Sequence, residues 1–166
     1  SEGMDEFGGR DINDVLNLIP LLGKIPEADT TRIGMYGKNR GGIMTYLAIK
    51  ESDNIDAVAV GPAIANVFLF AAENVEYYDI ITRLVPEYPD NRITPMKDRS
   101  MLYWPDELCK TTPILIMQGS SDTKVHPTQS LNSYEKLFSV NHPTRLLIFE
   151  GGDNSLDIFQ DEVDEN

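Results

Sequence analysis

The residues with the clearest chemical placement form a turn at positions 37–42, Gly-Lys-Asn-Arg-Gly-Gly. The short apolar run at residues 32–36 predicts a strand before this turn, and the pattern that continues to Leu47 predicts a helix directly after it. A strand, a sharp glycine-rich turn and a helix in this order make an elbow that presents a nucleophile at the carboxyl end of a sheet. Asn39 occupies the apex, and its amide forms hydrogen bonds but has no hydroxyl or thiol that could attack a substrate.

Strand and helix patterns alternate along the rest of the chain. Further buried strands are predicted at residues 55–60, 113–117 and 145–149. Helices are predicted at residues 12–22, 75–85 and 128–138, with a short acidic helix after Ser155. Because this alternation is typical of parallel βαβ units, the sequence predicts an α/β fold with a mostly parallel sheet of about four strands flanked by helices.

Prolines and glycines set the expected ends of these elements. Pro20 is expected to kink the first helix and Gly23 to end it, since proline removes a helical donor and glycine favours helix ends. Gly61 and Pro62 are expected to end the strand of residues 55–60.

Composition limits the possible partners. The chain has 166 residues and 41% hydrophobic content, which predicts a single domain spanning residues 1–166. It carries 14 Lys and Arg against 27 Asp and Glu, a net charge of -13, and shows no basic patch. This balance argues against binding to nucleic acid or to an anionic membrane surface.

Cysteine content and hydropathy bear on the compartment. The single cysteine, Cys109, excludes an intrachain disulfide and favours a reducing compartment such as the cytoplasm, without deciding it. No segment is apolar for long enough to span a bilayer. We therefore expect no membrane partner.

Three separated motifs, taken together, resemble a known family. Residues 32–42 contain the elbow, residues 113–127 contain a strand and an acid-bearing turn, and residues 149–155 read Phe-Glu-Gly-Gly-Asp-Asn-Ser. Residues 3–9, which read Gly-Met-Asp-Glu-Phe-Gly-Gly, precede them as a further matching segment. In this order they resemble the catalytic domain of the prolyl oligopeptidase family of serine peptidases, a branch of the α/β-hydrolase fold. The resemblance covers nearly the whole chain and implies a truncated α/β-hydrolase domain.

The resemblance also implies a role for three positions. The family uses a serine, an aspartate and a histidine in this chain order, because a histidine must take the serine proton and an aspartate must orient the imidazole. By motif, Asn39 takes the serine place, Asp122 matches the aspartate and Asn154 takes the histidine place. The backbone N–H of Arg40 would supply one oxyanion donor, and the second would come from a loop upstream of Ser1.

These replacements favour a catalytically inactive homologue, since an asparagine amide is neither a hydroxyl nucleophile nor a base near neutral pH. The alternative is an active peptidase or esterase that uses another base, His126 or His142, or residues from a partner chain. A third possibility, that Asn39 deamidates to an aspartate nucleophile, is disfavoured because the next residue, Arg40, is not small and no histidine is placed to activate water.

Ligands and partners are expected as follows. A peptide or ester ligand would bind near the triad positions. Four aromatic residues could line a pocket, although packing in the core is equally consistent with their spacing; they are Phe68, Tyr78, Tyr103 and Trp104. No cofactor or metal is predicted, since Asp153 and Asp157 do not form a calcium-loop pattern.

The first strand, which ends at Tyr36, would lie centrally in a full domain of the family that the chain resembles. In this chain it would be an exposed edge of the sheet, and we therefore predict a homodimer through this edge.

Overall fold

The computed structural model describes residues 3–88 and 90–164. Within these residues four strands form one fully parallel sheet. The strands, which lie side by side in chain order, are Gly34–Asn39 (β1), Ala57–Ala63 (β2), Ile114–Gly119 (β3) and Thr144–Phe149 (β4). The predicted α/β fold with a parallel sheet of about four strands is confirmed.

Helices occupy most of the connections. The α-helices are Ile12–Leu16 (α1), Ile19–Leu22 (α2), Arg40–Glu51 (α3), Val67–Glu73 (α4), Tyr78–Leu84 (α5), Ile93–Asp98 (α6), Thr128–Ser139 (α7) and Gln160–Asp164 (α8). Single 3-10 turns lie at Val75–Tyr77, Met101–Tyr103, Pro105–Glu107 and Asp157–Phe159.

The main core lies between the sheet and the helices that connect its strands. Helix α3 packs on β1 and β2, and α7 packs on β2, β3 and β4. In the strands, residues of one parity, such as Val60 and Ile116, are fully buried in this core. Residues of the other parity face the second side of the sheet, where Met117 packs with Phe149 and Leu156 in a smaller cluster.

Two predicted element ends differ from the structure. Pro20 does not kink one long helix but lies in the first turn of the separate helix α2, where its missing N–H has no intrahelical acceptor to lose. Strand β2 continues through Gly61 and Pro62 to Ala63. Its pairing with β3 ends at Val60, so Pro62 lies where β3 requires no donor from β2.

The topology brings the functional loops to one edge. Since all four strands run in the same direction, the loops after β1, β3 and β4 leave from the carboxyl edge of the sheet. Strand β1 pairs with β2 alone and is an edge strand of the described sheet. None of the helices within residues 3–88 and 90–164 has the length and apolar character needed to cross a membrane.

Candidate active site at the carboxyl edge of the sheet

The elbow is formed where β1 passes directly into α3. Asn39, the last strand residue, has φ 53° and ψ -122°, a conformation that L-residues rarely adopt. Its side chain points away from the strand end because α3 must begin immediately at Arg40. A Cβ on Gly37 would clash with the Gly41 carbonyl oxygen and Thr45 Oγ1, and one on Gly42 would clash with the Ala63 side chain. The glycines of the motif are therefore required by close packing under the turn.

The acid position lies in the loop after β3 and is firmly held. Asp122 is buried, with 2% of its surface exposed. Its Oδ1 accepts hydrogen bonds from the backbone N–H groups of Lys124 at 2.8 Å and Val125 at 2.9 Å. The amide of Gln118 lies 3.4 Å from its Oδ2. These donors fix the orientation of the carboxylate.

Gln118 organises this turn from beneath. It is fully buried, its Nε2 donates to the carbonyl oxygens of Gly119 at 3.0 Å and Val125 at 3.2 Å, and its Oε1 accepts from Ser130 Oγ at 2.7 Å. The motifs in the sequence predict no functional role for Gln118. A polar residue at the end of an otherwise apolar strand was the available signal.

Asn154, in the loop after β4, connects the other two positions. Its Nδ2 donates one hydrogen to Asn39 Oδ1 at 2.8 Å and the other to Asp122 Oδ2 at 2.9 Å. Both acceptors are oxygens, so the amide nitrogen must face them. The structure thus brings together all three residues that the motifs indicated, although they are separated by as many as 115 residues in the chain.

This arrangement keeps the connectivity of a triad while changing its chemistry. In a serine hydrolase an imidazole accepts the proton of the nucleophile and donates to the acid. Asn154 instead donates in both directions, because both hydrogens of its amide are used, and the group facing it on Asn39 is an acceptor. No proton can pass from residue 39 to residue 154 in this geometry.

The backbone N–H of Arg40, which the resemblance assigns as an oxyanion donor, lies at the start of α3. Arg40 is the first residue of α3, so its N–H has no intrahelical acceptor, and the helix dipole directs partial positive charge toward the same point. The Arg40 side chain is turned away toward the N-terminal segment. It donates two hydrogen bonds to Asp5 and one to Asp11 Oδ2 at 2.7 Å, and it lies 5.1 Å from the Phe7 ring centroid.

The ion pair between Arg40 and Asp5 shifts the pKa of both groups toward their charged forms. Hydrogen bonding to Asp5, ahead of the weaker contribution of Asp11, raises the pKa of Arg40, and the same guanidinium lowers the pKa of the Asp5 carboxyl. Segment 3–9, which was predicted only as a loop similar to a family motif, therefore holds the residue that follows the elbow apex. A polar loop rich in acids, followed at a distance by an arginine next to the turn, was too weak a pattern to reveal this contact.

A small apolar cavity opens beside the elbow. It measures about 240 Å³. Its lining residues are Phe7, Asn39, Arg40, Ile64, Phe70, Tyr77, Ile80, Lys124 and Val125. A space of this size with one polar end suits a single apolar side chain, since whole small-molecule ligands usually need about 300–1,000 Å³.

The aromatic residues proposed from the sequence do not line this cavity. Phe68 and Tyr78 face a separate cavity on the other side of α4. Trp104 is buried in the core, where its Nε1 donates to the Lys97 carbonyl oxygen at 3.0 Å, and Tyr103 packs edge-on against Phe68. Spacing alone does not reveal which face of a helix meets the strand ends, so the sequence left pocket lining and core packing equally open for these four residues.

Neither histidine is brought to the triad positions. His142 is buried just before β4, at the amino end of the strands and therefore at the opposite edge of the sheet, where its Nε2 donates to the Cys109 carbonyl oxygen at 3.1 Å. His126 is exposed, and its Nδ1 lies 3.0 Å from Thr128 Oγ1. Among the described residues, no hydrogen bond joins either ring to Asn39 or Asn154.

Acidic residues near Asn154 serve the loop rather than an ion. Asp153 Oδ1 accepts from the backbone N–H and the hydroxyl of Ser155 and from the Leu156 N–H, and the Ser155 hydroxyl is the main cause of its lowered pKa. Asp157 begins the 3-10 turn that follows. Residues 3–88 and 90–164 contain no group of three or more His, Cys, Asp or Glu side chains positioned to hold a metal ion.

A parallel sheet with an elbow, an acid and a bridging residue at its carboxyl edge defines an α/β-hydrolase type of site. The family model described as the prolyl oligopeptidase family matches residues 1–155. The chain belongs to this family, as its motifs indicated.

Individual relatives agree with this assignment. The chain is 31% identical over 132 residues to the protein named "Probable dipeptidyl-aminopeptidase B" of Trichophyton verrucosum, a match that covers 79% of this chain and 14% of that protein. A puromycin-hydrolyzing peptidase of Mycobacterium tuberculosis superposes with a TM-score of 0.80 at 26% identity, covering 90% of this chain and 22% of the other.

An acylaminoacyl peptidase of Pyrococcus horikoshii superposes with a TM-score of 0.79 at 25% identity, covering 93% of this chain and 25% of the other. The chain therefore spans a quarter or less of the length of these three proteins.

Proposed function

We propose that this chain is a catalytically inactive member of the prolyl oligopeptidase family that retains a ligand site at its elbow. One observation carries the proposal: the Asn154 amide occupies the imidazole place and donates to both Asn39 Oδ1 and Asp122 Oδ2. A site of this kind has no nucleophilic hydroxyl and no base.

The proposed ligand is a peptide, or an ester that resembles one. Its apolar side chain would enter the 240 Å³ cavity, between Phe7 on one side and Phe70 and Ile80 on the other. Its carbonyl oxygen would accept from the Arg40 N–H. The Asn39 amide, which lies at the rim of the same cavity, would contribute a donor or an acceptor.

The decisive experiment measures hydrolysis of an activated p-nitrophenyl ester by four forms of the chain: the parent, Asn39→Ser, Asn154→His and the double variant. We expect a silent parent and silent single variants, with activity only in the double variant. The hydrogen bonds from Asn154 to Asn39 and Asp122 support this expectation, because they join the three positions where the family has its triad. The double variant then serves as its own proof that the scaffold is competent.

Turnover by the parent above buffer and heat-denatured controls would contradict the proposal. Activity of that kind would favour the active-enzyme alternative, in which another base or residues of a partner chain supply the chemistry. Binding is tested separately, by titrating the parent with a short peptide that has one large apolar residue. Val125→Trp should abolish this binding by filling the cavity.

We also propose that the chain forms a homodimer through β1. The carbonyl oxygens of Ile33 and Asn39 accept from β2 and its flanking residues, so the alternate amides, including those of Gly34 and Lys38, face away from β2. An edge of this kind pairs readily with another strand. Light scattering at micromolar concentration should give a dimer mass, and the amides of Gly34 and Lys38 should become protected from hydrogen exchange as concentration rises. A monomer throughout would contradict the dimer.

A further inference from the structure

A second and larger cavity lies in the segment that connects β2 to β3. It has a volume of about 510 Å³, within the range that small-molecule sites occupy. Helix α4 separates it from the elbow: Phe70 faces the cavity beside Asn39, whereas Phe68, Ala71 and Ala72 face the larger one. A ligand here would be independent of the triad positions.

The walls of this cavity are mainly apolar and continue to its surface. Val75, Ile93 and Tyr78 line it and are 76%, 60% and 41% exposed. Single exposed apolar side chains are common on proteins, but three around the mouth of one cavity form a patch of the kind that marks binding sites. Met96, which is buried, also lines the cavity and provides an adaptable surface.

The polar groups of the cavity are concentrated around one guanidinium. Arg92 lines the cavity, and the hydroxyl of Tyr88 lies in the neighbourhood of both Arg92 and the Tyr78 hydroxyl. Burial raises the pKa of Tyr88, so its phenol is a neutral hydrogen-bond donor at neutral pH. Tyr78 and Tyr88 also pack edge to face, with ring centroids 6.1 Å apart.

No carboxylate within residues 3–88 and 90–164 forms an ion pair with this guanidinium. Among residues 3–88 and 90–164, the Arg92 side chain has no acidic partner within 4.0 Å. The acids of the connection between β2 and β3 lie outside the lining of the cavity; they are Glu73, Glu76, Asp79, Glu87, Asp90, Asp98, Asp106 and Glu107. Arg92 is therefore the charged residue that a bound molecule would meet, although the chain as a whole carries a charge of -13.

We propose that this cavity binds an amphipathic carboxylate, with its apolar body between α4 and α6 and its carboxylate on Arg92. A guanidinium binds a carboxylate in a two-point geometry that no other side chain reproduces as well, and the phenol hydroxyls supply additional donors. The carboxylate could belong to a free medium-chain acid or to the end of a peptide with an apolar last residue. Both sources present the same chemistry.

The test titrates the whole chain with decanoate, below its micelle concentration, by isothermal calorimetry. We expect saturable binding of one decanoate per chain and at least tenfold weaker binding of decyltrimethylammonium, which has the same body and the opposite charge. Arg92→Gln should weaken decanoate binding at least tenfold. Arg83→Gln is the matched control, since it removes the same charge from an exposed position of α5 outside the cavity and should leave binding unchanged.

Steric and source controls complete the design. Ala72→Trp places a large side chain in the cavity from an exposed helix position, so it should block decanoate while leaving the circular dichroism spectrum unchanged. A peptide ending in a phenylalanine carboxylate, compared with its amide, tests the second source. The proposal is overturned if decyltrimethylammonium binds as tightly as decanoate, or if Arg92→Gln and Arg83→Gln behave alike.

Discussion

The glycines packed beneath the elbow of the candidate active site and the residues at its surface differ in how closely they match a serine hydrolase. Below the turn, Gly37, Gly42 and Gly119 allow backbone and side chains to approach so closely that a Cβ would clash. Above it, Asn39 and Asn154 make a hydrogen-bonded bridge that cannot transfer a proton. The close packing beneath the turn does not depend on which side chains occupy positions 39 and 154, because the packing that positions the site also stabilises the fold.

The largest expected effect on stability comes from disturbing the glycine packing beneath the elbow. Gly37→Ala should destabilise the chain by about 2–4 kcal/mol or prevent folding, since the new methyl group would meet a backbone carbonyl and Thr45 in a turn with no room to relax. The measurement is the free energy of unfolding from urea denaturation.

Gly41→Ala is the matched control for this prediction. Gly41 lies in the same motif and in the first turn of α3, but a Cβ there would have no atom within 4 Å. This change should be neutral or stabilise the chain by up to about 1 kcal/mol through helix propensity. Equal losses for the two glycines would show that the motif is not required by packing.

The second prediction compares the contributions of Asp122 and Asn154 to the free energy of unfolding. Asp122→Ala should cost about 2–4 kcal/mol, because the N–H groups of Lys124 and Val125 would lose their acceptor and the Val125 N–H is buried. Asn154→Ala should cost only about 1 kcal/mol, since Asn154 is half-buried and water can replace its amide. Urea denaturation of both variants gives the comparison, and a larger loss for Asn154→Ala would reverse it.

The sequence was sufficient to predict the fold and the three positions of the candidate site, but not the residues that line the cavity. The alternation of strands and helices, and motifs at residues 37–42, 113–127 and 149–155, were sufficient for the fold class and for the three positions that meet at the strand ends. These features depend on local periodicity and on turns with strong residue preferences. Parallel strands then place the turns at one edge without further information.

The lining of the cavity depends on contacts that periodicity does not encode. Phe7 reaches the site from a loop whose position is fixed by Arg40 and by a bond from Arg99 Nε to the Glu6 carbonyl oxygen at 2.9 Å, across 93 residues. Helix α4 was not predicted at all, and its two faces line two different cavities. Long-range side-chain contacts of this kind become visible only when the chain is folded.

The smallest expected effect concerns the opposite edge of the sheet, where His142 lies far from the reacting surface. Burial lowers the pKa of His142 below its ordinary value of 6.5. As the pH falls through 6.5, the ring of His142 is protonated in the unfolded chain before it is protonated in the folded chain. The free energy of unfolding should therefore decrease until the folded ring is also protonated.

Urea denaturation at several pH values between about 7.5 and 5 measures how the free energy of unfolding changes with pH. Two histidine variants assign this slope to one ring. His142→Gln should remove the part of the slope that belongs to this ring, whereas His126→Gln, at an exposed position beside Thr128, should retain it. Carboxylates contribute to all three proteins alike, so they cancel in the difference. A slope that survives His142→Gln unchanged would show that the edge of the sheet opposite the elbow does not respond to pH through this ring.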